Sequence, residues 1–189
     1  MVKIPTTIET TRLLNEFMRK FHEQEPKLKP LRPKEVVGAT EVARSFWLHP
    51  QHPFAMRACH RVIFTGTDAR AGKYRTTRLV GMSGAFRDYQ SPARVEQLLD
   101  RVFYPAYEQV LTGAYQAVAS EPADVAWGIG ALFRCIHPFE TGNILLSWLI
   151  ESQVRLRFGE RVVVKIRSRQ DFVDFREQYF LKLVEVHFG

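Results

Sequence analysis

The chain has 189 residues, 46% of them hydrophobic and 25% charged, which is enough to bury one sizeable core and ordinary for a globular domain. Its formal charge of +7, from 27 Lys and Arg against 20 Asp and Glu, is dispersed from Arg12 to Arg176. Dispersed charge disfavours nucleic acid as the partner and gives only weak support to phosphate-bearing ligands. No run approaches the roughly 18 apolar residues of a membrane span, and Met1 to Thr7 lacks the apolar core of a signal peptide. The sequence therefore reads as a protein of a cytoplasm, its own or that of a host cell into which it is delivered, with no membrane contact. Cys59 and Cys135 sit in apolar surroundings without paired spacing and read as buried thiols.

One domain is expected over residues 1–189, made of an N-terminal helix with a proline-rich connection (1–33) and a core (34–189). Thr6-Thr7-Ile8-Glu9 fits a capping box, and Ile8, Leu13, Leu14, Phe17, Met18 and Phe21 repeat at helical spacing. Pro26, Pro30 and Pro33 make a stiff connection, and a second helix is expected from Lys34 to Leu48. No cysteine or carboxylate accompanies His49 and His52, so they read as loop residues rather than metal ligands. Phe54 to Phe64 reads as a short buried helix carrying Arg57, His60 and Arg61. Alternation through Tyr74, Thr76, Arg78 and Val80, with Gly81 and Gly84 as turn residues, predicts a two-stranded hairpin.

From Ser91-Pro92 the pattern is helical, with Pro105 expected to kink or interrupt it and a further helix reaching about Ala119. A helix from Pro122 to about Ile136, rich in small residues, leads to a polar turn. That turn opens into Ile144 to Phe158, apolar nearly all round, which marks a central helix with Gly159 as its cap. A short strand is expected over Arg161 to Ile166. Ser168 to Asp171 should cap a last helix turning Phe172, Phe175, Tyr179, Leu183 and Val186 inward.

The turn is the chemical centre of the sequence. His137-Pro138-Phe139-Glu140-Thr141-Gly142-Asn143 places an imidazole a few residues before a helix start, where backbone N–H groups and the helix dipole favour an anion. It resembles the first seven residues of the signature of the Fic family (filamentation induced by cyclic AMP), His-Pro-Phe-x-Asp/Glu-Gly-Asn-Gly-Arg-x-x-Arg. Ala71-Gly72-Lys73-Tyr74-Arg75-Thr76 is similar to the stretch that leads into that family's β-hairpin flap, although Arg70 stands where a tryptophan is common. The resemblance spans roughly residues 35 to 188 in layout.

The resemblance implies a mostly α fold, a Fic-like helical domain with a small β-hairpin flap. It also implies AMP transfer from ATP with Mg2+ to a hydroxyl of a target protein. His137 would be the base, Gly142, Asn143 and Thr141 would lie on the nucleotide phosphates, and Glu140 could hold a metal. Gly72, Lys73, Tyr74, Arg75 and Thr76 would dock the target chain on the flap, and a small regulatory or antitoxin-like partner is a further possibility. Yet Thr141 stands where the metal carboxylate belongs, Ile144 replaces a glycine, Leu145 the phosphate arginine and Trp148 the second arginine. Some relatives carry an inhibitory Ser/Thr-x-x-x-Glu helix, and the first helix here has no such motif.

Three readings stay open at this point. The chain keeps the scaffold with weakened or lost Mg-ATP chemistry and a flap for protein binding. Alternatively it is an active transferase with an altered nucleotide or metal arrangement, or a purely structural helical interaction domain.

Overall fold

A computed structural model describes residues 4–24, 29–77, 91–113 and 121–188. Helices α1 (Thr7–Gln24), α2 (Pro33–Leu48) and α3 (Met56–Phe64) precede a one-turn α4 (Val95–Leu98) and α5 (Tyr104–Thr112). Then follow α6 (Pro122–Ile136), α7 (Asn143–Arg157), α8 (Arg169–Phe175) and α9 (Leu181–Phe188). The capping box of α1 is formed, with Thr6 N–H donating to Glu9 Oε2 at 2.7 Å and Glu9 N–H to Thr6 Oγ1 at 3.3 Å.

α7 is the centre, packed on α6, α2, α3 and α5. Leu146, Leu149, Ile150 and Val154 are each 0% exposed, and Trp148 is 2% exposed. Trp148 stacks on Phe17 of α1 at 4.7 Å and meets Trp47 of α2 edge-on at 6.2 Å, so one indole fastens both helices to the core. Gln153, also 0% exposed, donates to the carbonyls of His49 and His52 and accepts from the Tyr107 hydroxyl, which ties the proline-broken turn down. The helix ends in a Schellman motif, with Glu160 N–H bonded to Arg155 O at 2.9 Å, Gly159 N–H to Leu156 O at 3.0 Å and Gly159 at φ 79°.

Several expectations are corrected. No strand is present among the described residues: 72–77 are irregular, and 78–84, where the hairpin would close, lie outside them. Arg161 to Ile166 is not a strand either. Its carbonyls bond side chains instead of a ladder, Val163 O accepting from Trp148 Nε1 and Val164 O from Lys20 Nζ. Pro105 does not break the helix: a π turn at Leu99–Phe103 bonds Tyr104 N–H to Leu99 O, and α5 starts with the proline in its first turn, where its missing N–H costs little. α5 stops at Thr112, capped by left-handed Gly113, short of the expected Ala119, and 114–120 lie outside the described residues.

A second π turn, Arg176–Phe180, joins α8 to α9. Its extra residue rotates everything after it about the axis, so Phe180 and Val184 are the 0% exposed residues, while Tyr179 is 60% and Val186 80% exposed. The expected inward face of Tyr179, Leu183 and Val186 therefore points outward.

Helices α6 and α7 meet at Gly130, where an added Cβ would lie 2.6 Å from Ser147 O; at Gly128, two residues away, it would lie 3.7 Å from the Phe175 ring. Gly130→Ala is expected to cost roughly 1–3 kcal/mol by overpacking. Gly128→Ala should be neutral or stabilising by up to about 1 kcal/mol through helix propensity. Chemical denaturation checks this, and equal midpoints for the two variants would show the crossing to be misassigned.

Candidate functional site

The turn from α6 to α7 forms in steps. His137 leaves α6 in the left-handed region at φ 49°, the single non-glycine with positive φ among the described residues, with its N–H on Phe133 O at 3.1 Å. For a side-chain-bearing residue this costs on the order of 1–2 kcal/mol and must be held in place. Its carbonyl accepts from Arg75 Nε at 2.7 Å, and the next carbonyl, Pro138 O, accepts from Arg75 N–H at 2.8 Å. Phe139, 0% exposed, then stacks on His60 at 4.0 Å.

Asn143 closes the ring: its Oδ1 accepts from Phe139 N–H at 3.0 Å and its Nδ2 donates to Phe139 O at 2.8 Å. Gly142 sits at φ 78°, and a Cβ there would be 2.4 Å from the Phe64 ring, so both conformation and space demand glycine. His60, 1% exposed, accepts from Gly72 N–H at Nδ1 (2.9 Å), which leaves Nε2–H to donate to Thr141 O at 3.2 Å. Burial lowers the His60 pKa and keeps this tautomer neutral.

The predicted site residues come together around this turn. Leu146 N–H is bonded to Gly142 O, so the N–H groups of Asn143, Ile144 and Leu145 precede the first intrahelical bond of α7, and no side chain caps that end. Gly142 to Leu145 line a cavity of about 850 Å³ together with residues of the Phe64–Ala69 segment and of the Lys29–Glu35 stretch, with His137 on its wall. Burial, then the charges of Arg75 and Arg134, pushes the His137 imidazole down to about 4, so it is neutral near pH 7.

The other residues are more committed. Thr141 Oγ1 donates to Asp68 Oδ2 at 3.0 Å. Glu140 pairs with Arg70 at 3.1 Å and accepts from Thr76 N–H at 3.2 Å and Thr77 Oγ1 at 2.7 Å. Although desolvation raises it, those hydrogen bonds leave its pKa below the usual value. Leu145, where the family carries an arginine, is 2% exposed. Of the residues expected on the flap, Lys73 and Thr76 are exposed, Tyr74 is half-buried, and Gly72 and Arg75 are buried. Cys59 and Cys135 are buried, each pushed up to about 12, and offer no thiolate.

The sequence reading passed over Asp68 and the two ring contacts of His60. Asp68 reaches Thr141 across 73 positions, and no local pattern signals such a contact. Arg32, on the cavity wall, is tied to Glu35 at 2.8 Å, which leaves Lys29 as the wall cation for which the described residues show no hydrogen-bond or ion-pair partner.

No family model matches the chain, and no curated protein does. Solved structures do resemble it. One is a Fic-domain-containing signaling protein from Bacteroides thetaiotaomicron (TM-score 0.59, 16% identity, 89% of this chain and 68% of that one). Another is Fic-1 from C. elegans (TM-score 0.51, 17% identity, 97% of this chain and 64% of that one). The chain thus has the fold of Fic-domain proteins and spans about two thirds of the length of each. Among the described residues no helix is long and apolar enough to cross a membrane.

The depressed imidazoles fix a pH dependence. Between the unfolded histidine value of about 6.5 and the folded value of about 4, the unfolded chain binds protons that folded His137 does not. Stability is therefore full above about pH 6.5 and falls as pH drops through this window, with His60 acting in the same direction. His137→Gln should remove on the order of 2–3 kcal/mol of that slope, read as the difference in unfolding free energy between pH 7 and pH 4.5. An unchanged slope would mean that His137 is not buried as described.

Proposed function

We propose that this chain forms a Fic-family domain, related to protein AMP-transferases, in which Mg-ATP chemistry is weakened or lost. The segment leading into the flap is retained for protein binding. One observation carries the reading: at the start of α7 the backbone N–H groups and a neutral imidazole are in place, but position 145 gives the cavity a buried leucine instead of a cation.

Magnitudes support this reading. A hydrogen bond to a charged group contributes about 1.5–3 kcal/mol, so losing the arginine alone weakens triphosphate binding ten- to hundredfold. A helix N-terminus returns only about 0.3–1 kcal/mol. The donor set suits a lone phosphoryl group better than magnesium triphosphate. Asn143 spends its amide on the loop, the Glu140 oxygens are taken by Arg70, Thr76 and Thr77, and the Thr141 hydroxyl is held by Asp68. Among the described residues, no group of three or more His, Cys, Asp or Glu is placed to hold a metal ion.

The target protein would lie against exposed Lys73 and Thr76, and a small regulatory partner and a cytoplasmic setting, its own or a host's, complete the reading. An active transferase using His137 as base with an altered nucleotide or metal arrangement is the second reading, favoured by the neutral His137 ring and by the size of the cavity.

The protein incubated with Mg-ATP and a host or bacterial lysate should leave few or no AMP adducts in mass spectrometry. Adducts formed by the wild type and absent with His137→Ala would overturn this reading in favour of the second.

A further inference from the structure

We propose that Arg75 is the positioning residue for His137, fixing the backbone of the base from the root of the flap segment; this rests on the reading of His137 as a base given above. Arg75 is 2% exposed, among the largest fully buried side chains of the protein. Its guanidinium donates through Nε to His137 O at 2.7 Å and through Nη1 to Thr77 O at 3.0 Å, while its own backbone N–H donates to Pro138 O at 2.8 Å. Two successive carbonyls of the turn are thus held by one residue 62 positions away.

Burying a guanidinium has a large desolvation cost, and an apolar residue there would leave the carbonyls of His137 and Thr77 without these donors. What the arginine provides is a rigid fork: one arm stops the left-handed His137 from relaxing toward a helical φ, the other pins the chain at Thr77. A lysine keeps the charge but offers a flexible point donor.

The second consequence is coupling. Glu140, within the turn, grips Thr76 N–H and Thr77 Oγ1 from the other side, so residues 75–77 and 137–140 are interlaced. A chain docked on Lys73 or Thr76 that displaced this segment would move the His137 carbonyl directly. The charged groups facing the imidazole are Arg75 and Arg134, which oppose its protonation, and Glu140, which favours it.

The test follows the imidazole carbon–proton signals of the protein by NMR against pH in Arg75→Gln, which keeps a donor without the charge, and in Arg75→Lys. In Arg75→Gln the His137 ring should titrate measurably higher than in the wild type, with His60 unchanged. Arg75→Lys should keep the low titration but shift the His137 carbonyl carbon signal. A folded Arg75→Gln protein in which His137 titrates as in the wild type, or in which His60 moves equally through general loosening, overturns the proposal. If the glutamine variant does not fold, the carbonyl signal of Arg75→Lys decides: an unmoved signal rules out a guanidinium holding that oxygen. No nucleotide or target enters either readout, so missing adducts would bear on the proposed function alone.

Discussion

The turn from His137 to Asn143, with Pro138, Phe139 and Asn143 buried, packs between two core helices because backbone groups along it find partners inside the protein. Chain reversal in so few residues leaves no room for a ladder, and an unpaired buried peptide group costs about 1–3 kcal/mol. Each solution comes from a different place: Arg75 takes the carbonyls of His137 and Pro138, the Asn143 side chain takes both groups of Phe139, and His60 takes Thr141 O. Gly142 then supplies the left-handed step that starts α7, against the Phe64 ring. Much of the surrounding structure, from α3 to the irregular segment after it, can be understood as the set of donors this turn requires.

That constraint also divides the polar groups of the site into two kinds. Asn143, His60, Arg75 and Glu140 are spent on the loop and on its neighbours. What stays turned to the cavity is the helix start, the neutral His137 ring and, from the N-terminal connection, Lys29. An arginine at 145 would have made the same wall strongly cationic. With leucine there the core gains an apolar residue, and no cation stands at that position of the wall.

Much of the fold was legible in the sequence because periodicity reports burial on a single element. The helices α1, α2, α3, α6 and α7, their caps, and the all-round apolar character of α7 follow from residue spacing and end signals. The failures have local causes. Two π turns each insert a residue that spacing rules do not anticipate; one carries the chain through Pro105, the other rotates α9 so that Phe180 and Val184 replace Tyr179 and Leu183 in the core. The β-branched run Val162 to Val164 has the pattern of a strand, yet among the described residues no neighbouring strand pairs it.

For the site, the sequence by itself determined which residues make the turn and which side chains stand at fixed offsets from it, because both are matters of adjacency: His137 before a helix start, Thr141, Leu145 and Trp148 along the same stretch. Only the tertiary structure decided which groups are free. Asp68 beside Thr141, Arg75 beneath His137 and Glu140 against Thr77 lie 62 to 73 positions apart in the chain, and the hydrogen bonds that commit them form only once packing brings those segments together.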